Sequence, residues 1–177
     1  HFPGATQADS VGLAAALNAL GSAHFYHHRA APAAQAFEES RFLLEATLPE
    51  DHPNVMTVRS NEAVCLQSLG RYAEAERLLR EVLASRRRVF GEESAWVASS
   101  LDNLGVCLAH QGRHEEAIPV LREGLAVAGK TFGPDHRETD NIAHDLGIAL
   151  VRANHVTEGL ALYDRRLAKL ATDDADG

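Results

Sequence analysis

The histidines of His24-Phe25-Tyr26-His27-His28 are spaced i, i+3 and i+4, which on a helix could aim two imidazoles at one metal ion. No cysteine or carboxylate stands close in sequence to complete the set, so no metal is expected here. His24 reads as a core position, and His27 and His28 read as the end of a helix, where the dipole suits a cation. The run Arg86-Arg87-Arg88 reads the same way, as a solvated helix end rather than a nucleic-acid patch. Cys65 and Cys107 could serve redox or metal chemistry, but alanines (Ala23 and Ala149) stand 42 residues before and after them. That pattern asks for something small and buried, which a free cysteine supplies. No nucleophile–base pair, phosphate-binding loop or zinc spacing occurs, so the sequence predicts neither an enzyme nor a cofactor.

The polar residues that remain lie in a repeated phrase. Residues 59–75 read RSNEAVCLQSLGRYAEA and residues 101–117 read LDNLGVCLAHQGRHEEA, which aligns Asn61 with Asn103 at an offset of 42. Phe90-Gly91 and Phe132-Gly133 keep the same offset. Extending the frame gives four units, 9–50, 51–92, 93–134 and 135–171, within one array over 5–171, with 172–177 an acidic disordered tail. A period of this length is the signature of a solenoid.

Each unit carries two amphipathic stretches. In the third, Leu101, Leu104, Gly105 and Leu108 mark one helical face, and Ala117, Ile118, Leu121 and Leu125 mark a second. Gln111-Gly112-Arg113 breaks the helix between them, with glycine suited to a left-handed turn. Pro134-Asp135-His136, like Asp51-His52-Pro53, opens the next helix. The expected fold is all-α, an α-solenoid of about four antiparallel helix pairs. Trp96, unmatched in the other units, is expected to staple its helix start against Phe90, the alternative being an interface position.

These columns resemble the tetratricopeptide repeat, whose pattern is W-x2-L-G-x2-Y followed by A-x3-F. The third unit offers Leu101-x2-Leu104-Gly105-x2-Leu108 and Ala117-x3-Leu121; the first offers Leu17-x2-Leu20-Gly21-x2-His24 and Ala33-x3-Phe37. The fourth offers Leu146-Gly147-x2-Leu150 and a looser Gly159-x3-Tyr163. The second departs most, with Arg59 and Glu62 where apolar residues are expected. The usual period is about 34; the longer one here, with the Phe-Gly-Pro-Asp-His linker and the Asn-Leu-Gly phrase, is similar to the kinesin-light-chain type. HEAT and armadillo repeats share a period near 42, but the small-residue columns and Gly70-Arg71-Tyr72 fit the tetratricopeptide pattern better.

The resemblance implies a right-handed superhelix whose first helices line a concave groove able to hold an extended peptide. Asparagines at the columns of Asn61 and Asn103 hold ligand backbone in proteins of this type, and that role is carried over to these two residues. An Asn offers both donor and acceptor; the alternative is that each bonds a neighbouring unit. Asp145 occupies the same column in the fourth unit. The stripe beside it supplies Val64, Val106 and His110, with Arg59 and Arg152 as groove-side cations. Arg59 could equally pair with Glu62 or Asp102.

The expected partner is a protein or peptide, and the expected role is a scaffold within a larger signalling or regulatory protein. The alternative is self-association, a homo-oligomer formed through uncapped solenoid ends. A net charge of −8 argues against nucleic acid. No apolar run approaches the roughly 20 residues of a membrane span. Two cysteines form no disulfide framework, which points to a reducing, cytoplasmic setting. The start at His1, without a basic-then-apolar leader, reads as part of a longer chain.

Overall fold

A computed structural model describes residues 7–173, with side chains through Asp164. The expected array boundary at residue 5 and the last residues of the expected tail, 174–177, lie outside the described residues. Among the described residues eight helices follow one another: α1 (Gln7–Tyr26), α2 (Ala30–Glu45), α3 (Pro53–Ser68), α4 (Tyr72–Phe90), α5 (Ala95–His110), α6 (His114–Thr131), α7 (Arg137–Arg152) and α8 (Val156–Asp173). No strand occurs among the described residues. The fold is therefore all-α and belongs to the solenoid class of repeated helix pairs.

The 42-residue period is visible in the helix boundaries. α3, α5 and α7 start at Pro53, Ala95 and Arg137, and α2, α4, α6 and α8 start at Ala30, Tyr72, His114 and Val156. Every intra-pair turn needs one residue with positive φ, and that residue recurs at the same spacing: His28 (56°), Gly70 (74°), Gly112 (75°) and Asn154 (68°). Glycine enters this region without a Cβ penalty, and Asn tolerates it. His28 is thus a turn residue forced into the glycine column, and the HFYHHR histidines do not share one helical face: α1 stops at Tyr26.

Helix starts are capped differently from the sequence expectation. The caps are His52, Ser94 and His136, again one period apart, rather than Asp51 or Asp135. Nδ1 of His52 accepts from the Asn54 amide at 3.2 Å, and Nδ1 of His136 accepts from Glu138 at 3.1 Å. Each imidazole fills the role usually played by a serine or aspartate oxygen. Trp96 stacks on Phe90 with ring centroids 6.0 Å apart.

The chain forms two compact units, His1–Val89 and Phe90–Gly177. In the first, α1 packs on α2 and α2 on α3; in the second, α5 packs on α6, α6 on α7, and α7 on α8. Small residues on each first helix admit a large side chain from the second. A Cβ built on Gly21 would lie 2.8 Å from the Phe37 ring, one on Gly147 2.9 Å from Tyr163 Cζ, and one on Gly105 on top of Leu121 Cγ. Phe37, Leu79, Leu121 and Tyr163 stand 42 residues apart, so the close approach is a property of the repeat. Cys65 and Cys107 are buried thiols, and burial pushes Cys65 up to about 11, where it is inert.

The two departures from the apolar pattern in the second repeat, residues 51–92, are resolved by one network. Glu62 on α3 is buried and accepts from Arg41 Nε on α2 at 2.6 Å. Arg41 also bonds Glu45 at 3.0 Å, and Glu45 in turn accepts from Arg59 Nε at 2.8 Å. Arg59 reaches Glu81 on α4 at 3.9 Å. Burial pushes the Glu62 carboxyl above the usual range, and the hydrogen bond and charge of Arg41 oppose that rise without cancelling it. The arginine run also differs from expectation, because Arg86 is only 3% exposed and its burial lowers it to about 10. Arg88 reaches outward to two acids, Glu50 and Asp51.

Candidate functional site

Two first helices of the second unit, α5 and α7, open onto a cavity of about 390 Å³. Its rim comes from Val106, Ala109 and His110 on α5 and from Asp145, Ile148 and Arg152 on α7. Their spacing explains why they meet: on α5 and on α7 they fall three or four residues apart, on one helical face. The floor includes Leu121 of α6, which fills the space left by Gly105. Val106, His110, Asp145 and Arg152 of the sequence-derived set are thus brought together. Asn103 is half-buried one turn before Val106. Ala109 and Ile148 complete the apolar part of the rim, and the 42-residue alignment with Gln67 and Val64 was the signal that placed them on the same stripe.

In the first unit the expected residues divide. Asn61 donates from Nδ2 to Asn18 Oδ1 at 3.1 Å, joining α3 to α1. One half of its amide therefore serves a neighbouring repeat. Val64 is half-buried on the same helix. Arg59, expected on the ligand side with Glu62 or Asp102 as alternative partners, instead turns to Glu45 and Glu81 on the second helices. Leu101, in the same column, likewise meets the second helix of its pair, against Gly124.

The counterparts of Asn18 and Asn61, two periods on, are Asp102 and Asp145. An amide pair can exchange a hydrogen bond; two ionised carboxylates cannot. Asp102 Oδ1 is buried without a partner. Burial, then the negative charges of Asp145 and Glu138, push its carboxyl up to about 7. Burial also raises Asp145, against the pull of His144 and His110.

A consequence for stability follows from the sign of that shift. The unfolded chain ionises Asp102 in the ordinary acidic range, whereas the fold retains the proton to about 7. The penalty is complete above pH 7 and is relieved as the pH falls toward 4. Thermal unfolding should therefore show the chain more stable at pH 5.5 than at pH 8 by about 1–2 kcal/mol, after allowance for partial solvent screening. Asp102→Asn, which restores the amide found at Asn18, should flatten that dependence and raise stability at pH 8.

Helix pairs repeated at a fixed period, with mixed polar and apolar side chains on the first helix of each, define an α-helical repeat protein. The tetratricopeptide repeat model matches residues 54–130 and 103–170, and the chain belongs to the tetratricopeptide repeat family. No curated protein matches it in sequence. Among solved structures it is similar to a kinesin light chain protein with nearly identical TPR-like repeats from Podosopora anserina: 22% identity, TM-score 0.80, covering 92% of this chain and 76% of that one. BtubC (BKLC) from P. vanneervenii shares 23% identity at a TM-score of 0.83, over 92% of this chain and 65% of that one. A Rap protein complexed with competence and sporulation factor shares 14% at 0.78, over 95% of this chain and 45% of that one. These similarities establish a fold of the kinesin-light-chain repeat type, in a family typical of protein–protein interaction scaffolds. No helix among the described residues is long and apolar enough to cross a membrane.

Proposed function

We propose that this chain is a scaffold that holds an extended peptide segment of a partner protein on its first-helix faces, with the α5/α7 cavity as the principal contact. The carrying observation is the convergence of Val106, His110, Asp145 and Arg152 on one cavity. The mixture suits a peptide: Val106 and Ile148 accept an apolar side chain, while Asp145 and Arg152 supply an acceptor and a donor for the polar main chain around it. Asn103 adds a group that can pair with a peptide unit whatever its side chain. Asn61, with its Nδ2 committed to Asn18, contributes its remaining capacity only. The Rap relative of the same fold was solved as a complex with competence and sporulation factor, which supports reading such faces as ligand surfaces.

A peptide-array screen of the intact chain tests the reading. Peptides retained by the wild type should lose at least about tenfold in affinity on Val106→Glu, since a buried unpaired charge would enter the contact. Asn103→Ala should cost about fivefold, one hydrogen bond's worth, and Asn61→Ala less. Retention unchanged in Val106→Glu and Asn103→Ala alike would refute the assignment.

A further inference from the structure

One contact between successive first helices is written in two chemistries. Asn18 on α1 and Asn61 on α3, 43 residues apart, are neutral and joined by a hydrogen bond of 3.1 Å. Two periods on, the same columns hold Asp102 on α5 and Asp145 on α7, and α5 packs against α7. Asp102 Oδ1 is buried and has no hydrogen-bond partner among the described residues. Asp145 is part of the α5/α7 cavity wall. Two carboxylates in these columns offer no donor. A single proton supplies one. Taken up from solvent by Asp102, it makes an O–H group that the Asp145 carboxylate can accept. The link between first helices seen at Asn18 and Asn61 is then restored with donor and acceptor exchanged. Asp145 stays ionised, with its second oxygen left to accept from a ligand N–H.

We propose that Asp102 and Asp145 form a proton-sharing carboxyl pair that regulates the α5/α7 cavity, holding it in its peptide-receiving form while one proton is bound. The effect on affinity rests on the peptide-binding role of that cavity; the pair itself does not. The threshold lies near neutrality, because burial, then Asp145 and Glu138 of α7, push Asp102 up to about 7. Burial also raises Asp145, against the pull of His144 on its own helix and His110 on α5. Groups coupled this closely titrate as a unit. The remaining charged or titratable side chains of the cavity are Arg152 on α7 and His114 on α6. Elsewhere on α6, Glu115 is taken by His155, Glu116 by Arg113, Arg122 by Glu158 of α8 and Lys130 by Glu93. A peptide lying over the cavity removes more water from the pair, which favours the protonated state, so binding takes up a proton. Affinity is therefore highest below pH 7 and falls as the pH rises through it.

Two measurements on the intact chain test the pair. In the isotopically labelled, ligand-free protein, the Asp102 carboxyl carbon should report a change of charge near pH 7. The amide resonances of Val106, Ala109 and Ile148 should move with the same midpoint. The best-retained array peptide should then bind about fivefold more tightly at pH 6 than at pH 8. Asp102→Asn, an uncharged isostere that can donate to Asp145, should bind equally well at both. Asp102 titrating in the ordinary carboxylate range, or cavity amides indifferent to its titration, would overturn the proposal. So would a pH dependence of affinity that survives in Asp102→Asn and disappears in His110→Gln, which would place the effect on the histidine. Should no peptide bind at either pH, the resonance titration of the free chain still decides whether the pair exists and moves the cavity. The peptide reading and the carboxyl pair therefore fail separately.

Discussion

Replacing Gly105 with valine is expected to cost the fold about 3 kcal/mol, the upper part of the range for forcing extra atoms into a packed interior. The first added carbon already falls on Leu121 Cγ, the branch point of a side chain that is itself 0% exposed. Leu121 cannot swing aside as a flexible tip would, so α5 and α6 must separate. The helical propensity recovered by leaving glycine is a few tenths of a kcal/mol and does not compete. For a chain of this size the midpoint of thermal unfolding should drop by about 6–12 °C. Gly12→Ala is the control: nothing lies within 4 Å of its added Cβ, so it should gain up to about 1 kcal/mol. A Gly105→Val protein as stable as the wild type would mean that the pair is not packed as closely as described.

The second large effect is expected at the α2/α3 junction. Arg41→Leu strips the partner from Glu62, whose side chain is 7% exposed, and should cost about 3 kcal/mol near pH 7.5. The double replacement Arg41→Leu with Glu62→Leu should recover that loss in full. The repeat itself supplies the reason: the other units carry Leu83 and Leu125 in the column of Arg41, and Leu20, Leu104 and Leu146 in that of Glu62. An apolar pair of this shape is native to the architecture, and replacing a buried ion pair by packed apolar residues is often neutral or stabilising. A double-mutant cycle by urea unfolding should return a coupling close to the single-mutant cost. Additive losses, with the double variant as weak as the sum of its parts, would show that the ion pair is not the unit that matters.

These two sites mark where sequence reasoning reached and where it stopped. Gly105 and Leu121 could be paired from the repeat alone, because a fixed period assigns every residue to a column and the columns define a helix face. The same logic located Val106, His110, Asp145 and Arg152 on one surface. A period reports columns, however, and not what an unusual residue does there. Arg59 and Glu62 stood out in sequence as misfits, but Arg41 and Glu45 did not, although Arg41 departs from Leu83 and Leu125 just as visibly. Comparing that column would have shown two charges of opposite sign facing one another. Arg86 looked solvated because its neighbours are arginines, yet the helix face turns it inward. The histidine caps were missed because the imidazole seldom takes that role, although His52 and His136 lie two periods apart with Ser94 midway. The offset relates Asn18 and Asn61 to Asp102 and Asp145, two periods on. What the offset could not give was that one pair shares a hydrogen bond and the other a crowded charge.

The central claim is that the α5 and α7 faces form the surface that receives a partner peptide. It is tested most directly by following the backbone amide resonances of the isotopically labelled chain while the best-retained array peptide is added. The account predicts shifts concentrated at residues 102–110 and 145–152. Shifts confined to α6 and α8, with those two stretches unmoved at saturation, would contradict it.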